Sequence, residues 1–144
     1  MDRFVARAGP LVVLTGAAAL VVSLFLRWFE VRHGGPTYTA WQAFSKADIL
    51  LAIAAGAGAV AMLLALATGD RWPYVGGAIA GSLAVALIVY LVSRPPGTRV
   101  APGAITDYGA FVGLAGAMVL VVGALWSGLV VGPEAPPAPP PPIT

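Results

Sequence analysis

The stretch ILLAIAAGAGAVAMLLALATGDRWPYVGGAIAGSLAVALIVYLVS, residues 49–93, is two oily runs broken only by Gly69, Asp70 and Arg71. Crossing a hydrocarbon core as a helix takes about 20 apolar residues. Both runs, Ile49–Thr68 and Trp72–Ser93, meet that length with no ionisable side chain inside. Gly69 falls where a helix C-cap glycine sits, and Pro73 where the first turn loses nothing by lacking an N–H. The stretch predicts two adjacent, antiparallel membrane helices joined by a tight turn.

Runs of the same kind lie on either side. One extends from about Ala8 to Leu26 and is closed by Arg27; the other starts at Tyr108 and continues to roughly Val131. Asp48 and Asp107 stand at the starts of the second and fourth runs, where a negative charge is favourable against the helix dipole. Trp28, Trp72 and Trp126, with Tyr90 and Tyr108, fall at or near run ends. Amphipathic rings prefer the headgroup level, so these positions support four spans, with Trp28, Trp41, Trp72 and Trp126 as interfacial anchors.

Composition agrees. The 144 residues are 59% hydrophobic and 10% charged, with mean hydropathy +0.89. Soluble domains carry about 25% charge, and a globule with less exposes apolar patches that aggregate. Absence of cysteine removes disulfides, thiolate metal sites and a thiol nucleophile. A net charge of +2 is too small for nucleic-acid binding. The first run is too long for the apolar part of a cleaved signal peptide, so it is read as a span.

Between the first two spans lies GGPTYTAWQAFSKADILLA, residues 34–52. Gly34, Gly35 and Pro36 break the chain. Thr39 with Gln42, and Ser45 with Asp48, have capping-box spacing. A short helix near 40–44 follows, with Trp41 and Phe44 on one face, lying in the headgroup layer. Residues 133–144, PEAPPAPPPPIT, contain seven prolines. They are read as a disordered tail with polyproline II bias, outside a transmembrane domain of residues 1–132.

Small residues recur at four-residue spacing: Gly77 and Gly81 in the third span, Gly109 and Gly113 with Ala117 in the fourth, Ala52 and Gly56 in the second. Lipid supplies no hydrophobic drive between helices, so small residues permit the close backbone approach that packing needs. These stripes are expected inside one bundle; the sharper alternative is a homo-oligomer or a membrane-protein partner.

The spans carry no Asp, Glu, Lys, Arg or His, and ion-coupled transport places ionisable groups inside the membrane. The small multidrug transporters share the length and span number but carry an acid in the first span; none lies between Arg7 and Arg27. Claudin-like proteins have paired loop cysteines, missing here. His33 with Glu30 and Arg32 makes a poor ligand set, because zinc sites need three or four protein ligands. No nucleotide-binding or hydrolase motif occurs.

Trp28–Phe29, Thr39–Phe44, Asp48–Ala52 and Tyr108–Trp126, in that order around a third span and a Pro-containing loop, resemble small four-span membrane proteins of actinobacterial type. The resemblance implies a topology and no mechanism. The expected fold is all-α: an antiparallel up-and-down four-helix transmembrane bundle with a short interfacial helix in the first loop. The expected function is non-enzymatic, a structural or accessory subunit of a cell-envelope assembly, with no cofactor and the lipid bilayer as its first partner; the alternative is an oligomeric pore or transporter component. Lys and Arg number five in the two long loops and three on the terminal side, which places the loops inside; the basic flank of the first helix, which often sets orientation, places both termini in the cytoplasm, the expectation adopted here.

Overall fold

The structure, a computed structural model, describes residues 2–31, 35–44, 46–94 and 103–130. Helix α1 (Asp2–Ser23) leads into strands β1 (Arg27–Val31) and β2 (Thr37–Thr39) and the single-turn α2 (Ala40–Ala43). Helices α3 (Ala47–Thr68) and α4 (Trp72–Ser93), strand β3 (Ala104–Thr106) and helix α5 (Tyr108–Val130) complete the order. Among the described residues three helices, α3, α4 and α5, are long and apolar enough to cross a membrane; the described apolar stretch of α1 is shorter, Gly9–Ser23.

The four long helices close a ring in which α1 packs on α3 and α5, and α4 on α3 and α5. The inward positions explain how. On α3 they are Asp48, Leu51, Ala55, Gly58, Met62 and Ala65, spaced alternately three and four. On α4, Tyr74, Gly77, Gly81, Ala84, Ile88 and Leu91 follow the same rhythm, with Ala80 buried beside them. An apolar repeat averaging 3.5 residues keeps one seam of a helix facing its neighbour over several turns. Only 28% of the apolar window of α3, and of α4, is buried within the protein. Leu63, Leu64, Ile79, Leu83 and Val89 point outward, the reverse of a soluble helix.

The tightest seam joins α1 to α5, antiparallel. A Cβ built on Gly16 would stand 2.6 Å from the Leu120 nitrogen and 2.8 Å from the Gly116 carbonyl oxygen. One on Gly116 would stand 2.8 Å from the Leu20 nitrogen. Further along, Gly9 meets Ser127, Gly123 meets Val13 and Gly113 meets Ser23. Two backbones this close leave no room for side chains, which is why glycine occupies the contact.

The 69–71 turn forms as expected. Gly69 takes the left-handed φ of 74° and its N–H donates to the Ala65 carbonyl at 2.9 Å. The Asp70 N–H donates to Thr68 Oγ1 at 3.2 Å. At the other end of α1 the outcome differs from the sequence reading. The helix stops at Ser23 rather than Leu26, through tight bonds from the N–H groups of Leu24, Phe25 and Leu26 to the carbonyls of Val21, Val22 and Ser23. Pro10 lies inside α1.

The chain released at Ser23 makes a three-stranded antiparallel sheet, ordered β2-β1-β3. Phe29 pairs with Tyr38 on one side and Thr106 on the other; Glu30 pairs with Thr37 and Ile105. This sheet joins the segment after α1 to the one before α5. The sequence reading, which treated both as loops, did not foresee it. The short helix of the first loop is present as α2, opened by the Thr39 N–H donating to Gln42 Oε1 at 3.0 Å.

Candidate functional site

The sheet, α2 and the adjoining helix ends form a cap over one end of the ring, built around aromatic side chains. Trp28, Phe29 and Phe44 are buried together with Ala40, Ala43, Leu51, Ile88, Leu91 and Ala110. The Trp28 and Phe44 rings meet edge to face at 5.6 Å and 85°, and Phe29 and Phe44 at 5.8 Å and 74°. Both are the arrangement that ring quadrupoles favour. Trp28 Nε1 donates to the Ser23 carbonyl at 2.7 Å, which also accepts from the Leu26 N–H at 3.1 Å, so both its lone pairs are used at the end of α1.

Trp28 therefore departs from its expected place. Its exposure is 0%, so its ring contacts protein rather than a surrounding solvent or headgroup layer. The burial comes from Phe44, sixteen residues away and brought back by β2 and α2. The other three tryptophans are exposed: Trp41 at 40%, Trp72 at 82% and Trp126 at 57%. Trp41 touches the exposed Phe25 ring, 6.0 Å between centroids. Of the expected packing glycines, Gly81 lies tight against Leu120 and Val121, whereas Gly77 has only ordinary contact with Ala124. Gly109 sits against the Arg27 carbonyl and Trp28, and Gly113 against Ser23 and Trp28. The fourth-span pair thus holds the cap onto α5. Gly56, in contrast, has nothing near it.

The outward aromatics fall into two levels. Eighteen residues separate Trp72 from Tyr90 on α4, and eighteen separate Tyr108 from Trp126 on α5, all four exposed. At 1.5 Å per residue each interval is about 27 Å, close to the roughly 30 Å of a hydrocarbon core. No Asp, Glu, Lys, Arg or His lies between Trp72 and Tyr90 or between Tyr108 and Trp126.

Charges gather on the cap side. Arg27 Nε lies 3.6 Å from Asp107 Oδ2, and the guanidinium carbon stands 5.1 Å from the centre of the Tyr108 ring. Tyr108 first, and Asp107 after it, push the Arg27 pKa above its usual value. Asp107 Oδ1 accepts the Tyr108 N–H at 2.7 Å, and the Asp107 N–H donates to the Trp28 carbonyl at 2.8 Å. The ion pair is too long to be a hydrogen bond, so buried Oδ2 has a charge partner but no donor. Asp48, in the first turn of α3, is 4% exposed and its Oδ1 is buried without a hydrogen bond. It stands at the helix start as expected, and the inward stripe of α3 places it inside. Glu30 is half-buried in β1. Arg32 and His33, the other members of the expected polar cluster, and Ser45 lie outside the described residues. No group of three or more His, Asp and Glu side chains gathers among the described residues.

No family model, curated protein or solved structure matches the chain.

Proposed function

We propose that the chain is a four-span membrane protein, with α1 as the fourth crossing helix, acting as a non-enzymatic structural or accessory subunit of a cell-envelope assembly. The observation that carries this reading is the pair of aromatic levels about 27 Å apart with charge confined to the ends of α4 and α5. Helix α1 supports the same slab: its 22 residues, Asp2–Ser23, rise about 33 Å, and Phe25, exposed beside Trp41, follows its end. Trp41, Trp72 and Trp126 are the headgroup anchors; Trp28 holds the cap.

The interior between the levels is filled by small and aliphatic side chains with self-satisfied hydroxyls. Ser23 and Ser127 bond back to the carbonyls of Leu20 and Gly123 at 2.7 Å. Among the described residues this interior is packing with Tyr74 as its one phenol, which favours a role carried by the outer helix faces and the cap. Both termini face the cytoplasm and the cap the other side. Purification in mild detergent tests the scaffold role: a stoichiometric partner or a defined self-assembly is expected, and a chain recovered alone and monomeric from its native membrane overturns it.

A second reading, a pore component formed between protomers, draws on one side chain. Ser82 is exposed at mid-span in an outward groove shared with Val85, Ala86, Met118, Val121 and Val122. Ion or solute flux into proteoliposomes, lost on Ser82→Ala, would favour it over the scaffold.

A further inference from the structure

The cap end of the ring sorts its charges by sign. Among the described residues, three cations stand there: Lys46 at the start of α3, Arg94 at the end of α4, and Arg27 beside the start of α5. These helix ends are neighbours around the ring. Three acids stand there too, Glu30, Asp48 and Asp107, so the described charges cancel. Exposure separates them. Lys46 and Arg94 are exposed and the Arg27 side chain is 49% exposed. Glu30 is half-buried, Asp48 is buried, and the Asp107 side chain is 17% exposed. The rim that meets the surroundings is therefore positive.

Aromatic rings set the height of two of these cations. The Arg94 guanidinium carbon stands 5.8 Å from the centre of the Tyr90 ring, and that of Arg27 stands 5.1 Å from the Tyr108 ring. A ring face holds a guanidinium through its quadrupole and leaves the N–H edge open to a planar or phosphate acceptor. Tyr90 and Tyr108 mark the upper aromatic level, where lipid phosphates lie. We propose that the rim of Lys46, Arg94 and Arg27 binds the headgroups of anionic phospholipids in preference to zwitterionic ones. Charge chooses that occupant. A zwitterionic headgroup brings its own cation back to a positive rim, whereas an anionic one brings a phosphate alone. Lys46 and Arg94 carry the preference, since neither has an acidic partner among the described residues, while Arg27 shares its charge with Asp107. The tight turn at the other end lacks this sorting, because Asp70 and Arg71 are both exposed. Such binding requires α3, α4 and α5 to lie in the bilayer, as proposed above, and does not depend on α1.

The full-length protein is placed in nanodiscs of phosphatidylcholine and phosphatidylglycerol in equal parts, and the lipids it retains are counted by native mass spectrometry. A cation at a charged membrane surface is worth about fivefold in partition. Retained phosphatidylglycerol is therefore expected to exceed phosphatidylcholine by at least about fivefold. Lys46→Gln combined with Arg94→Gln removes most of that preference, and Arg94→Lys alone keeps most of it. Arg71→Gln, beside Asp70, leaves it unchanged. Potassium phosphate and potassium chloride at matched ionic strength are expected to weaken it equally, by screening. Selective displacement by phosphate assigns the rim to a soluble anion and overturns the lipid as occupant. Retention of the two lipids in their bulk ratio, or a preference untouched by the double substitution, also overturns it and leaves the helices in the bilayer. A chain that enters no nanodisc overturns the membrane reading and this binding together.

Discussion

Replacing Gly16 by alanine adds one methyl group where two helix backbones touch. The new carbon would stand 2.6 Å from the Leu120 nitrogen and 2.8 Å from the Gly116 carbonyl oxygen. Van der Waals contacts between heavy atoms settle near 3.5–4.0 Å, so α1 and α5 must separate by about 1 Å. Both obstructing atoms are backbone, so no rotamer change relieves the clash. Neighbouring pairs loosen with it, since Gly9 on Ser127, Gly113 on Ser23 and Gly123 on Val13 lie along the same seam. Overpacking of this kind costs about 1–3 kcal/mol. The matched control is Gly56→Ala, at a helical glycine with nothing within reach of its Cβ. There the substitution removes glycine's conformational freedom and is expected to stabilise by about 0.5–1 kcal/mol. Unfolding each variant by denaturing detergent titrated into mild micelles gives the two values with opposite sign. Equal effects at positions 16 and 56 would refute the claim that α1 and α5 are held by direct backbone contact.

Trp28→Phe keeps the ring contact with Phe44 but removes one of the two donors to the Ser23 carbonyl, the Leu26 N–H remaining, and is expected to cost about 0.5–1.5 kcal/mol in the same titration; a neutral result would show that bond contributes nothing. Trp28→Ala empties the cap core and should cost about 3–5 kcal/mol. Asp48→Asn removes a buried charge whose Oδ1 has no donor, and is expected to raise stability despite losing up to about 1 kcal/mol of helix-dipole attraction; marked destabilisation would reveal a partner for the carboxylate. Arg27→Met breaks a half-exposed ion pair and a stacked ring, and should cost far less than Trp28→Ala, part of it salt-sensitive; an equal or larger loss would mean that this contact, rather than the aromatic core, holds the cap.

The helices were legible because membrane length and composition act over twenty residues at once. The ends of α3 and α4 match the sequence reading within about two residues, and Gly69 behaves as its type requires. The sheet was hidden for the opposite reason. Thr37–Thr39 and Ala104–Thr106 have three residues each, too few to show alternation. Arg27–Val31 has Trp28 at the end of an apolar run, where an anchor is the usual reading. Its burial depends on Phe44 and on the backbone of Gly109, which no local pattern announces. The α1–α5 seam did leave a signal. Gly109, Gly116 and Gly123 repeat at seven residues, and so do Gly9 and Gly16. A search at four-residue spacing finds Gly109 and Gly113 but passes over the rest. Asp48 was visible as a helix-start acid, and only the three-four spacing of Leu51, Ala55, Gly58 and Met62 turns it inward.

The number of bilayer crossings is tested most directly by single cysteines in sealed, uniformly oriented vesicles treated with a membrane-impermeant thiol reagent. Val5→Cys probes the start of α1, Thr37→Cys the cap and Asp70→Cys the tight turn. With four crossings, positions 5 and 70 react from one side and position 37 from the other. Labelling of positions 5 and 37 from the same side would remove α1 from the bilayer and contradict the account.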